Sequence, residues 1–420
     1  MIRSLACRTL VAISVFVGLA SRTAAADEWP EFRGPAGDGT SMATGVPVEW
    51  GVKKNVRWKQ RIPGSGWSSP VLAGGKIFLT TATGSVAEEN VSLRALCIDA
   101  KTGHIVWDEE VFRPAAADAK IMHEKNSLAS ATPIVAGDRL FVHFGHMGTA
   151  ALDLDRNIIW RQTDLKYSPQ HGNGGSPALV DGLLVFSCDG DDQQFIAALD
   201  QKTGEVRWKT PRETEAGRTF SFCTPLVIEV DGDEQVISPG SGMAGAYDPE
   251  DGREIWRVNY GEGFSVVPRP VTAHGLVYIC SGFMRANLLA VNPRGATGDA
   301  TQSNVVWRHD RGVPTTPSVV ICGDAVYFVS DNGVATCLDA HTGKVHWTER
   351  LGGNFSASPV CAEGRVYFLS EDGVMYVVAA DPRYELLATN DLGERTLASP
   401  AVDDGALYIR TASHLWRIGR

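Results

Sequence analysis

Basic runs are missing from this sequence. Its 420 residues carry 39 Lys and Arg against 49 Asp and Glu, a formal net charge of −10. An acidic chain without Lys/Arg clusters is poorly suited to nucleic acid or to an anionic membrane surface. Long apolar runs are missing too, apart from Thr9 to Ala20. That stretch is too short to span a bilayer. There is no Cys-x-x-Cys pair, no His-Glu-x-x-His and no Gly-x-Ser-x-Gly. Each absence removes a familiar chemistry: a zinc or dithiol centre, a zinc protease helix, a hydrolase elbow.

The apolar run follows Arg3 and Arg8 and precedes Ala24-Ala25-Ala26. Together they read as a cleavable export signal over residues 1–26, with Asp27 as the new N-terminus. Losing Arg3, Arg8 and Arg22 takes the formal charge from −10 to −13. The expected chain is therefore exported, periplasmic or extracellular, with no membrane-spanning segment left. Seven cysteines remain after Cys7, scattered along apolar stretches. Export permits a disulfide, but the odd number and the scatter favour mostly buried thiols.

What the sequence does have is a repeat. A Ser/Thr-Pro step followed by two short apolar runs appears at Pro70, Pro133, Pro177, Pro225, Pro270, Pro317, Pro359 and Pro400, spaced 41 to 63 residues apart. The fifth copy departs, with Arg269 before its proline. Proline cannot donate to a ladder, so it belongs at a strand's first residue. Between the prolines runs Asp-x-x-Thr-Gly-x-x-x-Trp, clearest at Asp99 to Trp107, Asp200 to Trp208 and Asp339 to Trp347. Asp and Gly suit a tight turn, and the Trp opens the next strand.

Four short strands repeated at about 40 to 50 residues describe a propeller blade. Trp58, Trp107, Trp160, Trp208, Trp256, Trp307 and Trp347 then have the period of blade packing. After Pro400 only three strands fit before the chain ends, and the segment around Trp58 supplies the fourth. The expected fold is all-β, an eight-bladed propeller over residues 55–420 with its N-terminal strand closing the last blade. Residues 27–54 form an N-terminal extension. The alternative is seven blades, if the degenerate copy after Pro359 fails to form one. A single closed ring of this kind suits a monomer.

The Asp-x-x-Thr-Gly-x-x-x-Trp turn resembles the repeat of quinoprotein dehydrogenases and of the BamB outer-membrane assembly lipoproteins, over roughly Trp29 to Arg420. The stretches Trp29 to Pro35, His171 to Pro177 and Ser330 to Gly333 look closer to exported bacterial propellers of the type that resembles proteins binding pyrroloquinoline quinone (PQQ). The resemblance implies PQQ and Ca²⁺ as possible cofactors. However, the vicinal Cys-Cys pair of the alcohol-oxidising members is missing, and Asp27 stands where a lipid-anchored protein has Cys.

Propeller topology puts the loops entering each blade and those joining its second and third strands on one rim. The candidate ligand-binding residues there are His123, His171, Asn173, Arg212, Asp331 and Asn332. Asp189, Asp191 and Glu371 offer the oxygen ligands that Ca²⁺ takes, though Asp-Gly pairs also make ordinary hairpin turns. His143 and His146 fall on opposite faces of a strand-like run, so a shared metal is not expected there. The reading favoured is a non-catalytic scaffold that holds a protein, peptide or small ligand on this rim. The alternative is a quinoprotein oxidoreductase with PQQ and calcium in the funnel.

Overall fold

The computed structural model describes residues 28–119 and 122–419; the expected export signal lies outside them. Eight sheets form the blades, each built on four antiparallel strands, and two of them carry a short fifth strand paired in parallel. They cover residues 71–112, 134–162, 178–211, 226–259, 271–309, 320–350, 360–391 and 401–419, numbered here as blades 1 to 8. Blade 8 takes its outer strand from the other end of the chain. Val56–Arg61 pairs antiparallel with His414–Gly419, with Lys59 opposite Trp416. Closure of this kind leaves no open edge in the ring. The copy after Pro359 does form a full blade, through Leu386–Asp391.

The strands form because the sequence alternates small turns with β-branched and aromatic runs. In most blades the first strand begins one residue past the proline, as at Ile134 and Val360. Blade 6 differs. Its first strand starts at Val320, so Ser318-Val319 holds the place of Ser-Pro, and Pro317 sits two residues early. The apolar run decided the register there, and the proline was left in the loop.

Packing between blades explains the Trp period. The indole N–H of Trp107 donates to the Leu154 carbonyl in the next blade's turn at 3.0 Å. Trp160 does the same to Gln201, Trp208 to Pro249, Trp307 to Ala340 and Trp347 to Asp381, at 2.9 to 3.1 Å. Trp58 of blade 8 reaches Ala100 of blade 1 at 3.1 Å and so links the two ends of the ring. Glycine of the Thr-Gly turn lies against the ring face. A Cβ on Gly204 would stand 2.5 Å from the Trp160 ring. Trp256 is the exception. A fifth strand, Gly298–Asp299, pairs beside it, and its N–H turns to Gln235 of its own blade at 2.9 Å.

A disulfide joins Cys322 and Cys361, on the inner strands of blades 6 and 7. The thiols of Cys97, Cys188, Cys223, Cys280 and Cys337 are free and buried. No helix among the described residues is long and apolar enough to cross a membrane.

Candidate functional site

The residues just before the inner strands do more than start them. The backbone N–H of Ser69 donates to Thr132 Oγ1 (3.0 Å), that of Thr132 to Ser176 Oγ (2.9 Å), and that of Ser176 to Thr224 Oγ1 (2.9 Å). The chain resumes from Arg269 to Ser318, Ser358 and Ser399 at 2.9 to 3.0 Å. These hydroxyls ring the central channel and link blade to blade. The series breaks after Thr224 because Arg269 has no hydroxyl to offer the Thr224 N–H. This explains the Ser or Thr two residues before the inner strand, which precedes the proline except in blade 6, where Ser318 follows Pro317. The sequence displayed that signal in every copy but the fifth, without disclosing its purpose.

Arg269 serves the N-terminal extension instead. Its Nη1 donates to Glu31 Oε1 at 2.8 Å and to the Phe32 carbonyl at 2.5 Å, while Nε donates to the Pro225 carbonyl at 3.0 Å. The extension crosses the channel from blade to blade. Trp29 exchanges backbone hydrogen bonds with Leu72 of blade 1 at 2.8 to 3.0 Å. Pro30 accepts from Val135 of blade 2 at 2.9 Å. Arg33 reaches the carbonyls of Val319 (2.6 Å) and Pro359 (3.4 Å) and also that of Asp38. Thr40–Ser41 then pairs parallel with Cys361 and Ala362 of blade 7. Burial pushes the Arg33 guanidinium down to about 9, helped by the neighbouring charge of Arg269.

Above this plug lies a cavity of about 500 Å³. Phe32 forms part of its lining, together with the hydroxyl ring. One wall is aromatic: Phe222, Phe264 and Phe283. The Phe264 and Phe283 ring centroids are 5.6 Å apart, and the Arg218 guanidinium sits 5.0 Å over Phe264. His123 and His171 stand above, with ring centroids 5.4 Å apart. Burial, then the nearby His123, lowers the His171 pKa, opposed by Asp191. The shift favours the neutral imidazole, which can either donate or accept. On the far wall Lys125 Nζ meets Glu371 Oε1 at 2.8 Å. Ser356 Oγ also donates to that oxygen, at 2.7 Å.

The sequence-derived candidates divide. His123, His171 and Asp331 line the cavity. Asp331 already accepts from the Thr315 N–H (2.7 Å) and hydroxyl (2.9 Å). Asn332 is exposed beside it and accepts from the Ser330 hydroxyl at 2.6 Å. Asn173 sits behind the wall and accepts from the Tyr167 hydroxyl at 3.1 Å. The placement of Arg212 on the rim needs correcting. Its side chain is buried, with Nη1 3.2 Å from Asp189 Oδ2 and hydrogen bonds to Ser187 (3.0 Å) and Ser238. Asp189 is thus a buried counter-ion and not a funnel ligand. Asp191 stays exposed on blade 3, while Glu371 belongs to blade 7.

A calcium-and-quinone site needs several free oxygens around one point. Among the described residues these acids do not supply it. Asp189 is engaged by Arg212, Glu371 by Lys125, and Asp331 by Thr315. The residues do not fit the Ca²⁺ that the resemblance implied. Trp67, Phe32 and the aromatic wall were missed as site residues, because single apolar residues in loops carry no pattern.

The family model described as outer membrane protein assembly factor BamB matches residues 48–163, 90–191, 166–319 and 296–418. The chain belongs to this PQQ-like β-propeller family. It is 26% identical over 298 residues to the BamB of Burkholderia pseudomallei, covering 66% of this chain and 64% of that protein. Over 149 residues it is 31% identical to subunit 1 of the methanol dehydrogenase of Paracoccus denitrificans, covering 30% of this chain and 22% of that protein. The chain thus spans less than two thirds of the length of the curated relatives named here. The crystal structure of BamB from Moraxella catarrhalis superposes with a TM-score of 0.59 at 13% identity, covering 86% of this chain and 99% of the other. That likeness is one of fold.

Proposed function

We propose that this chain is an exported propeller scaffold that binds a ligand in the funnel of its entering-loop rim. The ligand is a small molecule or the end of a partner protein's segment. The observation that carries this reading is the cavity of about 500 Å³, lined by Phe32, His123 and His171 among others. A volume of that size with an aromatic wall and a few polar groups is typical of a binding pocket. Phe283 and Met284 are half-exposed, at 50% and 57%, where a partner would first touch the rim. Relatives named for outer membrane protein assembly support an interaction role. The compartment beyond the cytoplasm follows from the N-terminal sequence and belongs to the same proposal.

The test separates this reading from the quinoprotein alternative. The purified protein is titrated with pyrroloquinoline quinone, with and without Ca²⁺, by calorimetry and thermal shift. A specific ligand raises stability by about 2.7 kcal/mol at a hundredfold excess over Kd. Calcium-dependent binding at micromolar affinity would replace the scaffold reading with the oxidoreductase. In parallel, a photo-crosslinking residue at Phe283 is used to trap rim partners. Trapped material that disappears on His171→Ala supports the scaffold.

A further inference from the structure

Away from the funnel, three side chains converge on the opposite rim. His274 lies in the hairpin turn between the first two strands of blade 5. Asp324 lies in the same turn of blade 6, and His341 in the Asp-x-x-Thr-Gly turn of blade 6. His341 Nε2 stands 3.7 Å from Asp324 Oδ1, and His274 Nε2 stands 3.8 Å from the same oxygen. The two imidazole centroids are 4.6 Å apart. One ligand atom from each residue falls within 4.8 Å of the others, the sole such group of His, Cys, Asp and Glu among the described residues.

We infer that His274, Asp324 and His341 form a surface site for a divalent transition cation, Zn²⁺ being the one that suits two imidazoles and a carboxylate. Ligands about 2.1 Å from a tetrahedral ion stand about 3.4 Å from each other. The two histidine–aspartate separations are a few tenths of an ångström wider, and all three ligand atoms lie within 4.8 Å of one another, so rotations of exposed side chains must close the set. A fourth position is open to solvent.

Two observations beyond proximity support the site. The first is preorganisation. His274 holds a left-handed backbone (φ 54°) that carries its ring over the neighbouring turn, where Nε2 lies 3.0 Å from the Gly323 carbonyl; a metal bound at this nitrogen takes the place of that hydrogen bond. Asp324 is two residues from Cys322, whose disulfide to Cys361 anchors that hairpin to blade 7. The second is the repeat itself. The His274 position is Gly, Asp or Glu in the other seven blades, all at positive φ. The His341 position is lysine in the closest copies, Lys101 and Lys202. A lysine repels a metal ion, whereas imidazole donates to one. Only at the junction of blades 5 and 6 do both turns carry histidine.

The test is calorimetric titration of the metal-stripped protein, made without a polyhistidine tag, with zinc sulfate. One equivalent should bind, and His274→Ala combined with His341→Ala should weaken binding at least tenfold. Asp324→Asn should weaken it less. All three residues are exposed, so the variants should melt with the parent when metal is absent. Failure of the parent to bind zinc overturns the site. So does undiminished binding by the double variant, or loss of binding on His123→Ala with His171→Ala instead.

Discussion

Lys125 Nζ lies 2.8 Å from Glu371 Oε1, although 246 residues separate them. Lys125 belongs to the loop between blades 1 and 2, and Glu371 to a turn of blade 7. The contact therefore passes blade 8 and straps the funnel mouth. The pair is partly exposed, with side chains 33% and 11% accessible. Its effect on global stability should be under about 1 kcal/mol. Its effect on the loop should be larger. Lys125→Ala is expected to leave the melting temperature nearly unchanged and to speed backbone hydrogen exchange across residues 122–130. Unchanged exchange there would mean that the loop is held by Asn126 and its bonds to His171 and Ser130.

The plug depends on two buried arginines. Arg269 grips Glu31 and Phe32, and Arg33 grips the inner strands of blades 6 and 7. Arg269→Ser would restore the Ser/Thr pattern of the other copies and release the extension. Limited proteolysis should then cut between residues 28 and 41 while the 56–419 ring survives intact. Equal resistance in parent and variant would show that the pairing of Thr40–Ser41 with blade 7 is sufficient.

Asp189 and Arg212 are a buried pair, and removing one partner strands the other's charge. Asp189→Asn and Arg212→Met should each cost about 3–5 kcal/mol. The double variant should cost less than the sum, because no charge is then left unpaired. Urea unfolding of the three variants measures this coupling. Burial raises the Asp189 pKa to about 6 against the opposing pull of Arg212, so the cost of desolvating this carboxylate is not fully recovered.

His143 is buried against Phe186, with ring centroids 4.3 Å apart, and its Nδ1 bonds Thr149 Oγ1 at 2.8 Å. Burial, aided by His146, pushes its pKa down to about 3. The ordinary value is 6.5. The unfolded chain thus binds a proton here before the folded one does. Stability from this group is present in full above pH 6.5 and is lost as pH falls toward 3. His143→Phe should flatten the stability–pH curve in that window relative to the parent. Parallel curves would show that His143 is not the group responsible.

The blade number, the closing strand and the Trp period were legible because they repeat. Eight noisy copies of one pattern average into one clear signal, even where Arg269 or Pro317 departs from it. The channel's purpose for the Ser/Thr positions was visible only as recurrence. The funnel was harder. His171 was marked by its glycine-rich loop, but Phe222, Phe264 and Phe283 come from separate loops with no shared motif. Arg212 was misplaced because a polar residue in a long rim loop reads as exposed until its partner Asp189 is found two strands away in the same blade.

What the sequence determined by itself was local: strand, turn, glycine at positive φ, Trp after the turn. Summed around a ring, those local preferences leave one closed architecture. Only the tertiary structure decided which distant residues meet. Lys125 meets Glu371, Arg269 meets Phe32, and His274 meets His341. Closing the ring sets those distances, and a linear pattern of side-chain types contains no measure of them.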